Sequence, residues 1–223
     1  MRPLPHGYTN ATVGDGRIVV KRYEGPDAAD RLERERRFLN GLAGAVPVPP
    51  VLDGDGESLT IGFVAGVQGQ ELVEAGHAAA VMRACGAVLR RLHALPAPAG
   101  TVLVHGDFGP NNVLVDPATF AVTAVLDWEF ARYGDRIADL AWCEWIMRTH
   151  HPARAREVEH FHAAYGLPVP PWLERRDAMV ERCRELRDFC ERWQPGGGAV
   201  RQWEQRAAAT AAWGEDANGP ALS

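Results

Sequence analysis

Short hydrophobic runs rich in β-branched residues are separated by polar glycine turns in the first third of the chain, which predicts a β-rich N-terminal region. Residues 11–13 and 17–23 are rich in β-branched side chains and flank the glycine turn 14–16, a pattern typical of a β-hairpin. Residues 58–64 are again rich in β-branched and aromatic side chains and indicate a further strand. The glycine-containing connector 65–70 follows this strand, and we place a boundary between two lobes there.

One segment of this region has helical spacing instead. Apolar side chains recur every three or four positions over 28–42, so we expect an amphipathic helix with Asp27 as its N-cap. The arginines between positions 34 and 37 alternate with acidic residues or lie beside them, and we expect them on the water-exposed face. The proline-rich segment 46–50 is expected to stop this helix.

Helical spacing dominates the rest of the chain. Helices are predicted over 78–95, over 137–148 and from Asp177 to Trp193, and a final alanine-rich helix follows. Short strands are predicted at 101–105, 113–115 and 123–126. The expected fold class is α+β, with a small β-rich lobe over 1–66 and a mainly helical lobe over 67–223.

Composition and charge exclude several classes of protein. The 223 residues are 46% hydrophobic and 24% charged, which is typical of a globular protein and not of a disordered one. The formal net charge of −5 argues against non-specific nucleic-acid binding. The four cysteines form no CxxC pair, and no apolar run reaches about 18 residues. We therefore expect reduced thiols, neither export nor a membrane span, and a cytoplasmic location.

A polar loop carries the strongest chemical signal. Residues 105–112 read HGDFGPNN, and Asp127 follows after a short hairpin. An aspartate, an asparagine five positions later and a second aspartate have the spacing of a kinase catalytic loop. Phosphoryl transfer needs a carboxylate beside the attacking hydroxyl and oxygen ligands that hold magnesium across the triphosphate. We therefore assign Asp107 as the catalytic base and Asn112 and Asp127 as ligands of Mg²⁺.

These motifs resemble a known family. The HGDxxxxN loop, the later Asp127-Trp128 pair and the GDxxxDLA pattern over 134–141 are similar to the aminoglycoside phosphotransferases and choline-kinase-like small-molecule kinases. The resemblance implies the bilobal protein-kinase-like fold, with ATP as phosphate donor and Mg²⁺ as its metal. It also implies that His105 braces the loop and that Asp139 accepts hydrogen bonds from loop N–H groups.

Lysine usage supports the same assignment independently of the loop. Of the 24 basic side chains, 23 are arginine and only one, Lys21, is lysine. A compact ammonium in a chain that otherwise uses arginine indicates a position where a planar guanidinium does not serve. The resemblance implies that Lys21 binds the α- and β-phosphates. It also implies that Glu35, on the first helix, is the ion-pair partner of this lysine.

The remaining nucleotide contacts come from the resemblance alone. It places the adenine edge against the backbone of the connector near Gly62 and Val64. It also places Tyr8 and Thr9 in the loop that covers the nucleotide, although this loop departs from the GxGxxG pattern of protein kinases.

The sequence therefore predicts an ATP-dependent phosphotransferase that acts on a hydroxyl of a small molecule. The chain after Asp127 has no room for a protein-kinase activation segment, which argues against a protein substrate. An aminoglycoside-type or other hydroxylated antibiotic is the first acceptor class. The alternative is a primary-metabolite alcohol such as choline, ethanolamine, an amino alcohol or a sugar. The rival from another class is a nucleotide-binding pseudokinase that serves as an interaction module, and the complete set of polar catalytic positions argues against it.

Acidic side chains in the C-terminal region bear on the choice of acceptor. Carboxylates there would bind a polycationic amino sugar through charge-assisted hydrogen bonds, and the candidates are Glu144, Glu185, Asp188 and Glu191. The arginines that interleave with them leave the segment nearly neutral, which fits an uncharged or zwitterionic acceptor equally well. No obligate protein partner is expected.

Overall fold

The N-terminal region forms a five-stranded antiparallel sheet. In the computed structural model, which describes residues 1–3 and 10–215, its strands are β1 (Arg2–Pro3), β2 (Asn10–Gly14), β3 (Ile18–Tyr23), β4 (Val51–Gly54) and β5 (Ser58–Gly62). Their order in the sheet is β1-β2-β3-β5-β4. The predicted hairpin is confirmed, since β2 pairs with β3 and Thr12 lies opposite Lys21. Strand β3 lies in the middle of the sheet, with β2 on one side and β5 on the other. The backbone of Lys21 is therefore held by a neighbouring strand on both sides.

A single helix, α1 (Ala28–Leu42), accompanies this sheet, as predicted. Its apolar face is buried in the core through Leu32, Phe38, Leu39 and Leu42. The predicted N-cap is wrong: Asp27 makes no side-chain capping bond, and its backbone is left-handed with φ of 54°. The Asp27 carboxylate instead forms an ion pair with Arg192 at 2.9 Å. The expected solvation of the arginine run also fails at Arg34, which is half-buried.

The other strands form two small sheets in the C-terminal region. They are β6 (Val67–Gln68), β7 (Val102–Val104), β8 (Val113–Val115), β9 (Val122–Val125) and β10 (Arg132–Gly134). Strand β8 lies between β6 and β9, and β7 pairs with β10. The three predicted strands are therefore confirmed to within one residue at each end. The β8–β9 hairpin connects the two polar motifs, so it fixes the distance between the catalytic loop and Asp127.

Helices make up most of the remainder. They are α2 (Gly69–Leu72), α3 (Ala78–His93), α4 (Ile137–His150), α5 (Val158–Tyr165), α6 (Trp172–Trp193) and α7 (Gly198–Ala211). The predicted start of α6 at Asp177 is wrong, because the buried Trp172 and Arg175 already belong to its first turns. The helical stretch Gly69–His93 is long and apolar enough to cross a membrane, but half of its most apolar window is buried inside the protein. Burial of this kind is what a core helix shows.

One hydrophobic cluster extends through both regions. It contains Leu39 from α1 and Leu59 from β5 together with Met82 from α3, Phe108 from the catalytic loop and Trp128. The predicted α+β arrangement of a sheet region and a mainly helical region is confirmed. The division at residue 66 stays a prediction. Because the core is shared, the polar residues at the ends of these elements face one cleft between the sheet and the helices.

Candidate active site

Two side chains fix the carboxylate of Asp107. The Asn112 side-chain amide donates to Asp107 Oδ2 and to the Asp107 carbonyl oxygen, each at 2.8 Å. Trp142, on α4, donates from its indole nitrogen to the other carboxylate oxygen, Oδ1, at 2.7 Å. Donors on both oxygens leave the carboxylate one orientation, which is what a positioned proton acceptor requires.

Burial sets the proton affinity of this carboxylate. The low-dielectric surroundings of Asp107 raise its pKa above the ordinary value of 3.8, and the charge of Arg182 and the hydrogen bond from Trp142 oppose the rise. A carboxylate with a raised pKa is the better proton acceptor, provided that it is ionised at the working pH. The geometry and the environment of Asp107 are therefore those of a general base.

Asp139 braces the backbone that carries this base, as predicted. One carboxylate oxygen of Asp139 accepts the His105 N–H at 2.8 Å, and the other accepts the Gly106 N–H at 2.9 Å. His93 also contacts Asp139, at 3.1 Å. Burial tends to raise the Asp139 pKa, but the hydrogen bond and charge of His93, with the loop N–H groups, hold it below 3.8. The brace is therefore a buried carboxylate anion that is fully hydrogen-bonded.

His105 is the second brace, and its neighbours define its tautomer. Its Nδ1 accepts the Asp107 N–H at 3.2 Å, so its proton lies on Nε2, which donates to the Leu126 carbonyl at 2.8 Å. The imidazole thus connects the catalytic loop to the residue before Asp127. Gly106, between His105 and Asp107, has φ of 85°. A Cβ at this position would lie 2.5 Å from the Phe130 carbonyl oxygen, so the turn requires glycine.

Lys21 joins the sheet to the loop at Asp127. Its ammonium lies 2.6 Å from Glu35 Oε2 on α1 and 2.6 Å from Asp127 Oδ1. A third carboxylate, Glu129, lies 3.8 Å away. Burial tends to lower the Lys21 pKa, but these carboxylates together raise it well above its ordinary value of 10.5. The lysine is therefore charged at any working pH.

Asn112 and Asp127, the predicted metal ligands, both line the cleft between the sheet and the helices. Because the Asn112 side chain donates its hydrogen bonds from the nitrogen, its side-chain oxygen is left to coordinate a metal. Asp127 has φ of 65°, a left-handed conformation that aspartate adopts rarely and that turns the loop sharply at this point. A carboxylate and an amide oxygen suit Mg²⁺, which prefers oxygen donors and retains water and phosphate ligands. The donor set therefore fits the predicted metal.

Glu129 is a residue that sequence reasoning missed. It is fully buried and accepts hydrogen bonds from Asn10 at 2.8 Å and from Arg31 at 2.7 Å. Arg31 is buried as well, on α1. The Arg31–Glu129 pair ties α1 to the loop two residues beyond Asp127. Its only sequence signal is the acidic residue in Asp127-Trp128-Glu129, and nothing in the local sequence identifies its partner.

The cleft above these residues has the size of a nucleotide site. Its volume is about 360 Å³, and its walls include Val19, Ile61 and Val64 from the sheet side and Leu114 and Leu126 from the helical side. Apolar walls above and below with polar groups at one end are typical of a cofactor pocket. Lys21, Glu35, Asn112 and Asp127 lie at its polar end.

The predicted adenine contacts at Gly62 and Val64 both stay predictions. Val64 lies on the cavity wall. The Gly62 N–H is donated to the Pro50 carbonyl at 2.8 Å, so this N–H is not the group that would contact adenine. The predicted covering residues Tyr8 and Thr9 lie outside the described residues.

The acidic candidates for an amino-sugar site are largely neutralised. Glu144 is buried and lies 2.8 Å from both Arg148 and Arg175, so the expectation that it faces an acceptor is wrong. The other three are also engaged, Glu185 with Arg182, Asp188 with Arg187 and Glu191 with the Gly196 N–H.

A comparison with protein families identifies a match that covers most of the chain. The family model described as "Phosphotransferase enzyme family" matches residues 1–101 and 97–178, which together cover both polar motifs and the lysine.

Curated relatives match over shorter segments. Hygromycin-B 4-O-kinase from Escherichia coli is 40% identical over 62 residues, which are 26% of this chain and 18% of that enzyme. Aminoglycoside 3'-phosphotransferase from Streptomyces fradiae is 48% identical over 46 residues, 21% of this chain and 17% of that enzyme. Acyl-CoA dehydrogenase family member 10 from Mus musculus is 48% identical over 48 residues, 22% of this chain and 4% of that protein. The chain thus spans less than a fifth of each of these relatives.

Solved structures show the fold over nearly the whole chain. The gentamicin complex of the aminoglycoside phosphotransferase APH(2'')-IIa has a TM-score of 0.72 at 12% identity and covers 93% of this chain and 90% of its own. Macrolide 2'-phosphotransferase MphH from Brachybacterium faecium has a TM-score of 0.66 at 22% identity. The match covers 96% of this chain and 93% of that enzyme. These likenesses confirm the predicted kinase-like fold class.

Proposed function

The chain belongs to the phosphotransferase enzyme family, and from that membership we propose that it transfers the γ-phosphate of ATP to a hydroxyl of a small molecule. The observation that carries the proposal is the alignment of a general base with a phosphate-binding cleft. Asp107, fixed by Asn112, adjoins the polar end of a cavity that holds Lys21 and Asp127. Positioning and electrostatics of this kind supply most of the catalysis in phosphoryl transfer.

Asp107 orients the acceptor and removes its proton. The acceptor hydroxyl donates to the Asp107 carboxylate, and its oxygen forms a bond to the γ-phosphorus. The bond between that phosphorus and the β–γ bridging oxygen breaks, ADP takes the electron pair, and the hydroxyl proton passes to Asp107. Asn112 and Trp142 keep the carboxylate in line during this step.

Lys21 and a bound magnesium ion would neutralise the phosphates. Magnesium would supply positive charge that offsets the charge of the phosphate oxygens. Asn112 and Asp127 are the oxygen ligands that would hold it, side by side at the open end of the β8–β9 hairpin, where Val113 lies opposite Val125. Lys21 contributes a permanent positive charge, and its contact with Glu35 fixes that charge at the sheet.

The acceptor proposed is a small molecule and not a protein. Only the short strand β10 lies between the Asp127 loop and the start of α4 at Ile137, which leaves no extended segment on which a peptide could lie. The named activities of the Escherichia coli and Streptomyces fradiae relatives make hydroxylated antibiotics the first acceptor class. A primary-metabolite alcohol is the second candidate, and the neutralised carboxylates favour it because they leave little negative charge for a polycation.

The four cysteines are free thiols, which supports the cytoplasmic location that we propose.

An acceptor screen tests this function. ADP release would be measured with aminoglycosides, other hydroxylated antibiotics, choline-type alcohols, sugars and hydroxy acids. We expect at least one class to stimulate ADP release well above the rate with water alone. Nucleotide binding without stimulation by any compound would support the pseudokinase reading instead.

A further inference from the structure

A second cavity lies beside the catalytic loop, outside the nucleotide cleft. Its volume is about 190 Å³, and it separates the first turns of α1 from the second half of α6. Four of its lining residues are arginines and two are acidic: Arg31, Arg34, Arg182, Arg192, Asp27 and Glu185. The remaining walls are apolar and include Phe130, three residues after Asp127.

Ion pairs inside the lining leave a surplus of positive charge. Arg192 is matched by Asp27 at 2.9 Å, and Arg182 by Glu185 at 2.8 Å. Glu185 is shared, since Arg132 also lies 3.7 Å from it. Arg31 is matched by the buried Glu129 at 2.7 Å, so within the described residues the unmatched guanidinium of the lining is that of Arg34.

Arg34 is a main source of the surplus. It is half-buried, and among the ion pairs of residues 1–3 and 10–215 none involves it. Its one hydrogen bond goes to the Glu129 carbonyl oxygen, at 2.8 Å. A neutral carbonyl fixes the guanidinium in place and leaves its charge without a counter-ion. A half-buried cation of this kind attracts an anion more strongly than a solvated one.

Arg182 adds hydrogen-bond donors that are not used. Only 11% of its side chain is exposed, yet its Nε and Nη2 atoms have no acceptor within the described part of the chain. The guanidinium lies 4.8 Å from the Phe130 ring centroid and 5.8 Å from that of Trp142. Aromatic rings hold the plane of the group but supply no oxygen. Buried donors without partners in a cavity wall mark a place where a ligand can supply the acceptor.

The same arginine connects the cavity to the reaction. Trp142, beneath Arg182, donates its indole N–H to Asp107 Oδ1 at 2.7 Å. The charge of Arg182 is also strong enough at Asp107 to oppose the effect of burial on that carboxylate. Arg182 and Trp142 would thus connect a group bound in the cavity to Asp107, the proposed base.

From these observations we propose that the arginine-lined cavity binds a carboxylate or phosphate group of the acceptor, so that the preferred acceptor is a hydroxylated anion. The proposal rests on the function proposed above and narrows its acceptor class. A volume of about 190 Å³ lies below the range of about 300–1,000 Å³ of pockets for drug-sized ligands, so it suits one functional group of a molecule. Planar guanidinium groups bind carboxylate and phosphate oxygens in pairs, which gives orientation as well as attraction. A polycationic amino sugar would be repelled.

Phosphate binding to nucleotide-loaded protein tests the cavity directly. The protein would first be saturated with Mg²⁺ and the ATP analogue AMP-PNP, so that inorganic phosphate cannot bind beside Lys21. Calorimetry would then compare wild type with Arg34→Gln, Arg34→Lys and the control Arg37→Gln, an exposed arginine of the same helix. We expect Arg34→Gln to weaken phosphate binding at least about 10-fold. Arg34→Lys keeps the charge but loses the paired geometry of guanidinium, so its affinity should fall between wild type and Arg34→Gln. Arg37→Gln should match wild type.

Equal phosphate affinity in wild type and Arg34→Gln, or no phosphate binding by the nucleotide-loaded wild type, would overturn the proposal. Failure of AMP-PNP itself to bind would instead contradict the proposed function, and this inference with it. The acceptor screen is the second test of this inference. Stimulation of ADP release by hydroxylated carboxylates or phosphates supports the inference. Stimulation by cationic or uncharged compounds alone overturns it and leaves the phosphotransferase function standing.

Discussion

The ammonium of Lys21 lies 2.6 Å from Asp127 Oδ1, so the proposed phosphate-binding lysine and the proposed metal ligand are in direct contact. Glu35 lies equally close on the other side of the ammonium. Lys21 therefore bridges a helix of the sheet region and a loop of the helical region. The three carboxylates Glu35, Asp127 and Glu129 lie within 4.8 Å of one another, and the ammonium between them neutralises a cluster that would otherwise repel itself.

This bridge predicts that arginine cannot replace Lys21. Guanidinium is longer and planar, so Lys21→Arg should displace either the phosphates or Glu35. A misplacement of about 1 Å can lower turnover about 10²-fold, and we expect a loss of that order in kcat with a smaller change in ATP affinity. Steady-state kinetics would measure both. The control is Arg22→Lys, on the same strand but exposed and paired with Glu57. Wild-type kinetics for Lys21→Arg would show that the lone lysine has no special role.

Trp142 should set the pH at which Asp107 becomes active. Burial raises the Asp107 pKa, and the hydrogen bond from Trp142 opposes that rise. The base works ionised, so activity falls as the pH drops through its pKa. Trp142→Phe removes the opposing hydrogen bond, raises the pKa further and should move the acid limb of kcat/KM to higher pH.

The matched control for this change is Trp203→Phe. Trp203 packs against Trp142, with ring centroids 6.2 Å apart, and within the described residues it forms no hydrogen bond with Asp107. The acid limb of kcat/KM for Trp203→Phe should coincide with that of wild type. An acid limb that stays in place or moves to lower pH in Trp142→Phe would contradict the role given to the indole.

Asp139 should stabilise the fold above its unfolded-state pKa. Burial tends to raise the Asp139 pKa, but its hydrogen bonds hold the folded-state value below 3.8. The stabilisation is therefore fully present above about pH 3.8 and is lost as the pH falls through the lower folded-state pKa. Asp139→Asn should lower the free energy of unfolding at neutral pH by about 1.5–3 kcal/mol, the scale of hydrogen bonds to a charged group.

Urea denaturation between pH 2 and 7 would measure this effect, with Asp30→Asn, an exposed position of α1, as control. The difference between wild type and Asp139→Asn should shrink on the acid side and not on the basic side. A difference that stays constant across the whole range would show that Asp139 is not the ionised brace described here.

Local spacing predicted the catalytic loop, and the family resemblance predicted its braces His105 and Asp139, but neither predicted the contact from Trp142. Asp107 and Asn112 are five positions apart in one tight loop, so their contact follows from the motif. The contact of Trp142 with Asp107 depends on how α4 packs against that loop. Its one sequence signal is that it lies three positions after Asp139, on the same face of the helix.

Contacts between residues far apart in the sequence explain two of the errors. Asp27 has the residue type and position of an N-cap, but an arginine at the far end of α6 binds its carboxylate instead. Arg34 belongs to a run of charged residues that reads as a solvated helix face, yet α6 and the loop after Asp127 cover it. Both outcomes depend on where α6 lies relative to α1, and periodicity within either helix carries no information on that placement.

Asp127 should control magnesium-dependent nucleotide binding. It is the only carboxylate assigned to the metal, so Asp127→Ala should abolish the gain in ATP affinity that Mg²⁺ provides. Calorimetric titration of ATP with and without Mg²⁺ would measure that gain. Asp188→Ala, an exposed position on α6, is the control. An Asp127→Ala protein whose Mg-ATP affinity equals that of wild type would exclude this residue as the ligand.

Transfer of labelled γ-phosphate from ATP to an acceptor hydroxyl, compared between wild type and Asp107→Asn, tests the central claim most directly. Asparagine preserves the size of the side chain and the fold of the loop but cannot take the proton. We predict a labelled phosphate ester with wild type, a rate lower by at least about 10²-fold with Asp107→Asn, and unchanged nucleotide binding in both. An Asp107→Asn protein that forms the ester at the wild-type rate would contradict the account.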